Sequence, residues 1–397
     1  MNTTGAFEGL TCRDCGETVD AATGRHRCPA CGGSLDPTYE YEGVDLTRDG
    51  IENERFDSMW RYDDLLPFHD ADAVSLGEGG TPLLEAPGLA DRMGVDRVFL
   101  KDEGRNPTGS VADRALSVTA TAARHHDANT VALASPGNDG QSASAYAAAA
   151  EMDSHVFVPS RTGFTNKAMV NVHGGEMSVS EGRFADAAAT FRDELAEHES
   201  WYPVGAFETP YRHEGLKTVA YEVIEQLDWT APDAVVYPTG EGTGLVGFGK
   251  GAREFRELGL VDAEPSLYAA QAEGCAPVVR AIEEERPAIE AWQRPDTICG
   301  DIEIPDPRGE SWVLETIRES EGGAISTDDE SILEASVDIA GSVGLEVSPS
   351  AGAAVSGALE LADRTAFDET DTVVIVATAS ANREADVLRS HLMRKGI

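Results

Sequence analysis

Lysine is nearly missing from this chain of 397 residues: five occur, Lys101, Lys167, Lys217, Lys250 and Lys395. Basic residues of both kinds number 31 against 71 acidic ones, a formal charge of −40. So large a negative excess repels phosphodiester backbones and anionic lipid headgroups, which removes nucleic acid and acidic membranes from the expected partners. It also sets self-repulsion against compactness unless dissolved salt screens it. Acidic side chains in excess, with arginine kept in preference to lysine, suit a salt-loaded cytosol, and a halophilic protein is expected.

Long apolar runs are absent too. No stretch of about 18 apolar residues occurs, so no membrane-crossing helix is expected. No charged segment leads into an apolar one near the first residue, and a cytoplasmic location is the expectation. Cysteine is sparse: Cys275 and Cys299 stand alone, and the other four form two Cys-x-x-Cys pairs, Cys12/Cys15 and Cys28/Cys31, with twelve residues between them. That spacing suits the closed tetrahedral thiolate site of a structural zinc ribbon. Reduced thiols or disulfides in a small module are the alternative. A segment this short has little core of its own, which favours the metal.

What is present is an alternation of apolar strands and amphipathic helices, with 41% hydrophobic residues, enough for roughly two to three domains. The stretch from Leu100 to Leu116 stands out. An apolar strand (97–100) feeds a polar loop with Asn106-Pro107 and Gly109. A helix is expected to start at Ser110 as N-cap, with Val111, Ala115, Val118 and Ala122 on one face. Strands are expected at 130–134, 155–158, 176–179, 234–237, 266–270 and 372–377, with helices between them, a βαβ series that implies parallel sheets. Thr327-Asp328-Asp329-Glu330 reads as a capping box. Trp60, Tyr62, Leu65 and Leu66 are docking residues in an otherwise charged linker. After the 234–237 strand, Pro238-Thr239-Gly240-Glu241-Gly242-Thr243-Gly244-Leu245 precedes a helix. Glycines there let backbone amides turn toward a phosphate, although such a turn alone is weak evidence.

Ser110-Val111-Ala112-Asp113-Arg114 resembles the Ser-Phe-Lys-Asp-Arg active-site segment of threonine synthase and its fold-type II pyridoxal-phosphate (PLP) relatives. Gly77-Glu78-Gly79-Gly80-Thr81-Pro82-Leu83 resembles the Gly-Glu-Gly-x-Thr-Pro-Leu segment of the same family. The resemblance implies an α/β fold of two parallel-sheet domains preceded by a small zinc ribbon. Residues 1–43 would be the ribbon, 44–115 and 211–397 the larger domain, and 116–210 the smaller inserted one. It implies Asn138 at the PLP ring hydroxyl, although a left-handed turn residue beside Gly137 is the plainer reading. Gly240, Glu241, Gly242, Thr243 and Gly244 would form the PLP-phosphate loop, and Thr378 and Ser380 would serve the pyridine nitrogen. Zinc on Cys12, Cys15, Cys28 and Cys31 agrees with the ribbon that many family members carry.

The lysine that forms the family's Schiff base is replaced here by Ala112. An alanine can neither hold PLP covalently nor move a proton at a substrate Cα. Further departures are Val111 for an aromatic residue, Glu241 for a small one, Ala379 and Ala381 for glycines, Ser348 for a glutamate, and Cys299-Gly300-Asp301 for Ala-Asp-Gly. A single engineered change would leave one difference, so several point to natural divergence. A carboxylate at Glu241 turned onto a bound phosphate would repel it by roughly 3 kcal/mol at about 5 Å and a dielectric near 20, and by about 1 kcal/mol after screening. The expected function is a diverged threonine synthase-like protein, a pseudoenzyme that binds PLP or a phosphorylated amino-acid ligand non-covalently. Its expected partners are that small phosphorylated ligand, a second copy of the chain or an active paralogue. One alternative is a working enzyme converting O-phosphohomoserine to threonine and phosphate with another lysine recruited, Lys101 being nearest in sequence. The other is a non-catalytic scaffold.

Overall fold

The structure, a computed structural model, describes residues 2–42, 44 and 46–396, the side chain of Glu310 apart. The first and last residues of the expected ribbon, Met1 and Gly43, and the chain's last residue Ile397 lie outside the described residues. In chain order the elements are β1 (Phe7–Cys12), β2 (Thr18–Val19), β3 (Leu35–Tyr39), α1 (Arg48–Asn53), β4 (Leu83–Glu85), α2 (Pro87–Met93), β5 (Arg97–Asp102) and α3 (Ala112–His125). There follow β6 (Thr130–Ala134), α4 (Asn138–Ala149), β7 (Asp153–Pro159), α5 (Phe164–Val172), β8 (Glu176–Ser180), α6 (Phe184–Glu197), β9 (Tyr202–Pro203) and α7 (Arg212–Gln226). The chain continues through β10 (Ala234–Pro238), α8 (Thr243–Glu257), β11 (Ser266–Ala272), α9 (Pro277–Glu283), α10 (Glu310–Glu319) and β12 (Gly323–Thr327). Last come α11 (Asp329–Ser342), α12 (Pro349–Asp363), β13 (Thr372–Ala377) and α13 (Ala385–Arg394). No helix among the described residues is long and apolar enough to cross a membrane.

Two compact units form. The first takes Met1–Gly80 and Ala112–Val219, the second Thr81–Val111 and Ala220–Ile397. In the first unit β1 pairs antiparallel with β2 and β3, and a separate parallel sheet has the order β8-β7-β6-β9. The small sheet has too few apolar residues to stand alone. Phe7, Leu10, Val19 and Leu35 share one buried cluster with Met59, Trp60, Leu66, Phe68, Val118 and Ala122. Trp60, Tyr62, Leu65 and Leu66 are all buried.

The second unit holds a six-stranded sheet, β12-β11-β10-β13-β5-β4, parallel except where β4 runs against β5. Val373, Val374, Ile375 and Val376 of β13 are fully buried, the unbroken apolar run of a strand covered on both faces. Two helix starts differ from expectation. Helix α3 begins at Ala112, because Ser110 is taken into a bridge with Ala379 and Val111 N–H bonds Thr378 O at 2.8 Å. Helix α11 is capped by Asp328 alone, its Oδ1 accepting from Glu330 and Ser331 N–H, because Thr327 ends β12 and bonds Ser356.

Candidate active site

In the second unit β10 and β13 lie side by side, yet the chain leaves β10 toward β11 and returns to β13 from the far side. Such a reversal of strand order opens a crevice at the carboxyl ends of the strands, where ligands bind in open α/β sheets. The end of β10 delivers Gly240 to Gly244, and the end of β13 delivers Thr378 and Ser380. Two of the segments singled out from the sequence thus issue from neighbouring strand ends.

The loop after β10 is built for a close approach of backbone. Gly242 has φ +90°, and a Cβ there would lie 2.4 Å from Val313. A Cβ on Gly244 would fall 2.5 Å from the Tyr237 ring, and one on Gly240 would sit 3.0 Å from Ile304. The first N–H groups of α8 have no acceptor within the helix, whose ladder opens with Val246 N–H on Gly242 O at 3.0 Å. Donors and helix dipole together favour a dianion. The Glu241 carboxylate accepts the N–H of Arg308 at 2.9 Å, so it is engaged by a loop of its own unit. The repulsion expected from a carboxylate turned onto the phosphate therefore loses its premise.

The segment after β13 is clamped on both flanks. Thr378 O accepts from Val111 N–H, and Ser380 N–H donates to Gly109 O at 3.1 Å. On the other flank Ser348 N–H donates to Ala379 O at 3.0 Å and Ala381 N–H to Glu346 O at 3.1 Å. Ser110, bridged to Ala379, is buried, and its hydroxyl meets no hydrogen-bond partner among the described residues. An orphaned buried hydroxyl calls for a water or a ligand, a role with no local sequence signal, since the sequence marks Ser110 only as an N-cap and as the first residue of the 110–114 segment. Ser348 caps α12, accepting from Ala351 N–H at 3.1 Å, and a carboxylate reaches that helix end from Glu384, which accepts from Ser350 N–H at 3.1 Å. Glu384 lies far from α12 in sequence, so it too went unread.

In the first unit the chain reversal falls between β6 and β9. The loop after β6 is tied down by Ser135 Oγ, which accepts from Gly137 and Gly140 N–H at 3.1 and 2.8 Å. Asn138 is the first residue of α4 and is not left-handed, which removes the plain turn reading. Its neighbour Asp139 pairs with Arg212 at 2.6 Å. Ala112 opens α3, 4% exposed. Beside it Asp113 accepts from Ser142 Oγ at 2.6 Å, and Arg114 donates to Thr218 Oγ1 at 3.0 Å. The Asp113 and Arg114 side chains are both buried, and Ala112 offers only a methyl group.

The five lysines are placed as follows. Lys101 is fully buried in the second unit and donates to Glu222 (2.7 Å), Gln226 (2.9 Å) and Thr81 O (2.9 Å). Lys217, in the first unit, pairs with Glu214 at 2.8 Å and lies 4.1 Å over the Tyr39 ring. Lys167 on α5 donates to Ser160 O at 2.8 Å, and Lys395 pairs with Glu334 at 2.6 Å. Lys250 lies on α8.

Cys12, Cys15, Cys28 and Cys31 converge, their sulfurs all within 4.8 Å of one another and the Cys12–Cys31, Cys15–Cys28 and Cys15–Cys31 pairs 3.5–3.7 Å apart. Four thiolates on one zinc at about 2.3 Å would be about 3.8 Å apart, so the donor set fits that ion. Backbone N–H groups of Ala30 and Gly33 point at Cys28 and Cys31 sulfur, as around bound thiolates. Asp36, His213 and Glu214 also cluster, but Lys217 and the Tyr39 hydroxyl already serve Glu214.

A family model described as pyridoxal-phosphate dependent enzyme matches residues 74–379. The chain belongs to this family. It is 36% identical over 370 residues to the threonine synthase of Methanosarcina acetivorans, covering 93% of this chain and 90% of that protein. With the threonine synthase of Methanocaldococcus jannaschii it shares 32% over 381 residues, 94% and 93% of the two chains. Among solved structures, maize serine racemase superposes with a TM-score of 0.67 at 18% identity, over 80% of this chain and 94% of that one. An L-serine ammonia-lyase of Rhizomucor miehei gives 0.68 at 21%, over 79% and 98%. These similarities place the chain among threonine synthase-like, fold-type II PLP proteins. The residues present fit PLP through the phosphate, for which α8 supplies donors, and the buried Ser110 hydroxyl is open to a further polar group. They offer no amine at the start of α3.

Proposed function

We propose that this chain is a diverged threonine synthase-like protein that holds PLP, or a phosphorylated amino-acid ligand, without a covalent bond. The carrying observation is that α8 keeps its glycine loop and first-turn N–H groups without an acceptor in the helix, whereas α3 begins with Ala112 and Lys101, Lys167, Lys217 and Lys395 each have a partner. Gly240, Glu241, Gly242, Thr243 and Gly244 would hold the phosphate by backbone donors, Thr378 and Ser380 would serve the ring nitrogen, and Asn138 the ring hydroxyl. Bound PLP supplies an electron sink for charge developing at an amino-acid Cα. Ala112 supplies no base there, and general-base catalysis is worth ~10²–10⁴-fold. A working threonine synthase is the second reading, favoured by the curated relatives. Recruiting Lys101 for it would strip a buried carboxylate of its partner.

Product assay decides between them. The account expects saturable binding of PLP in equilibrium dialysis with no threonine formed from O-phosphohomoserine. Steady threonine production by the unmodified chain would overthrow it, and failure to bind PLP or phosphate would favour the scaffold reading. One structural zinc per chain on the four cysteines is part of the proposal; zinc-free protein from zinc-replete cells would contradict it. So are a cytoplasmic, salt-loaded setting and a second copy or an active paralogue as protein partner. The charge of −40 makes the unfolding midpoint rise from low to multimolar potassium chloride. A flat response would contradict the salt adaptation.

A further inference from the structure

Among the described residues six large apolar side chains are well exposed, and three of them, Phe164 (76%), Val172 (70%) and Val179 (50%), lie on α5 and β8 of the first unit. Phe164, Ala168 and Val172, four residues apart, follow one row along α5, which packs against β8. Strand β8 is the outer strand of the β8-β7-β6-β9 sheet. Ser180 O turns inward and accepts from Ser160 N–H at 2.8 Å. Backbone direction alternates along a strand, so the N–H and C=O of Met177 and Val179 turn outward. Such an edge, beside exposed apolar side chains, is a template for another strand. Residues 154–180 carry Arg161, Lys167 and Glu176, two positive charges and one negative, in a chain of −40. Like charge opposes the association of two copies over an acidic surface, and this stretch is free of that opposition.

We propose that the β8 edge and the outer row of α5 dock a second copy of this chain about a two-fold axis through Ser178. The proposal rests on the reading above of a second copy as partner, and names the surface for it. In this antiparallel register Met177 meets Val179 of the second copy, and the two exchange both backbone hydrogen bonds, twice over by symmetry. Glu176 falls opposite Ser180 rather than another carboxylate, so no like charges face each other across the seam. A slip of one residue would set side chains of opposite faces against each other, which the two-fold axis forbids. Each α5 then runs antiparallel to its copy, Phe164 toward Val172, with the small Ala168 between them. The two four-stranded sheets become one continuous sheet, and neither β8 edge is left open.

The test is sedimentation equilibrium in multimolar potassium chloride, which screens the acidic surface, on the native chain, Val179→Pro and the double variant Phe164→Ser/Val172→Ser. Val179→Pro deletes an outward N–H and spares the bonds to β7, a place where edge strands admit proline. The native chain should form dimers, and each variant should raise the dissociation constant by about tenfold or more. Circular dichroism like that of the native chain shows that the variants fold. On mild oxidation Ser178→Cys should give a disulfide between the two copies of residue 178, found by peptide mapping. Facing residues of this kind sit about 4.5 Å apart at Cα, within disulfide reach. Dimers that persist in both variants, with no 178–178 disulfide, overturn the inference and leave the second-copy reading standing on another surface. A native chain that stays monomeric overturns both and gives the edge to a different occupant.

Discussion

Helices α3 and α8 start alike, each after a strand and a glycine-bearing loop, and they offer a ligand different groups. What α8 offers a ligand is backbone N–H, which every residue but proline possesses, held in place by glycines that packing forbids to change. What the start of α3 would have to offer, on the family resemblance, is one side-chain amine, and Ala112 stands there. On the proposed reading, the backbone cradle would survive where the side-chain amine does not.

The comparison breaks first at Lys101. If it is the structural partner of Glu222, Lys101→Ala leaves a buried carboxylate uncompensated and should lower stability by about 3–5 kcal/mol in denaturant titration. A loss under about 1 kcal/mol would make Lys101 dispensable to the fold and return it to candidacy as a reacting group. Next, Gly244→Val drives a side chain into the Tyr237 ring, 2.5 Å from the Cβ, and should cost about 1–3 kcal/mol. Phosphate and PLP binding should vanish with it; retained binding would move the cradle away from α8. The smallest effect is expected at Glu241. Glu241→Ser gives up the Arg308 N–H bond, about 1 kcal/mol of stability, and should change PLP affinity by less than about threefold. A much larger gain in affinity would show that the carboxylate had been acting on the ligand.

Much of this was legible in the chain because it is local. The strands at Thr130–Ala134 and Thr372–Ala377 are apolar runs with turn residues at their ends, and the glycine spacing after β10 announces a strand-to-helix turn. Helix α10 and strand β12 were not read: they follow a proline-broken stretch from Pro287 to Pro307 and are short. The start of α3 was misplaced because Ser110 pairs with Ala379, a choice made by tertiary contact that no N-cap preference foresees. Glu384 at the start of α12 is hidden for the same reason, since its partner Ser350 lies 34 residues away.

Ala112→Lys puts an amine at the start of α3, where the positive end of the helix dipole favours its neutral form. After borohydride reduction that variant should carry one pyridoxyl group at residue 112, with little threonine formed. The most direct measurement is made on the unmodified chain: incubation with PLP, borohydride reduction, and peptide mapping by mass spectrometry. The account predicts that PLP binds yet no lysine is modified stoichiometrically. One pyridoxyl group per chain, fixed on a single lysine such as Lys101, would contradict it.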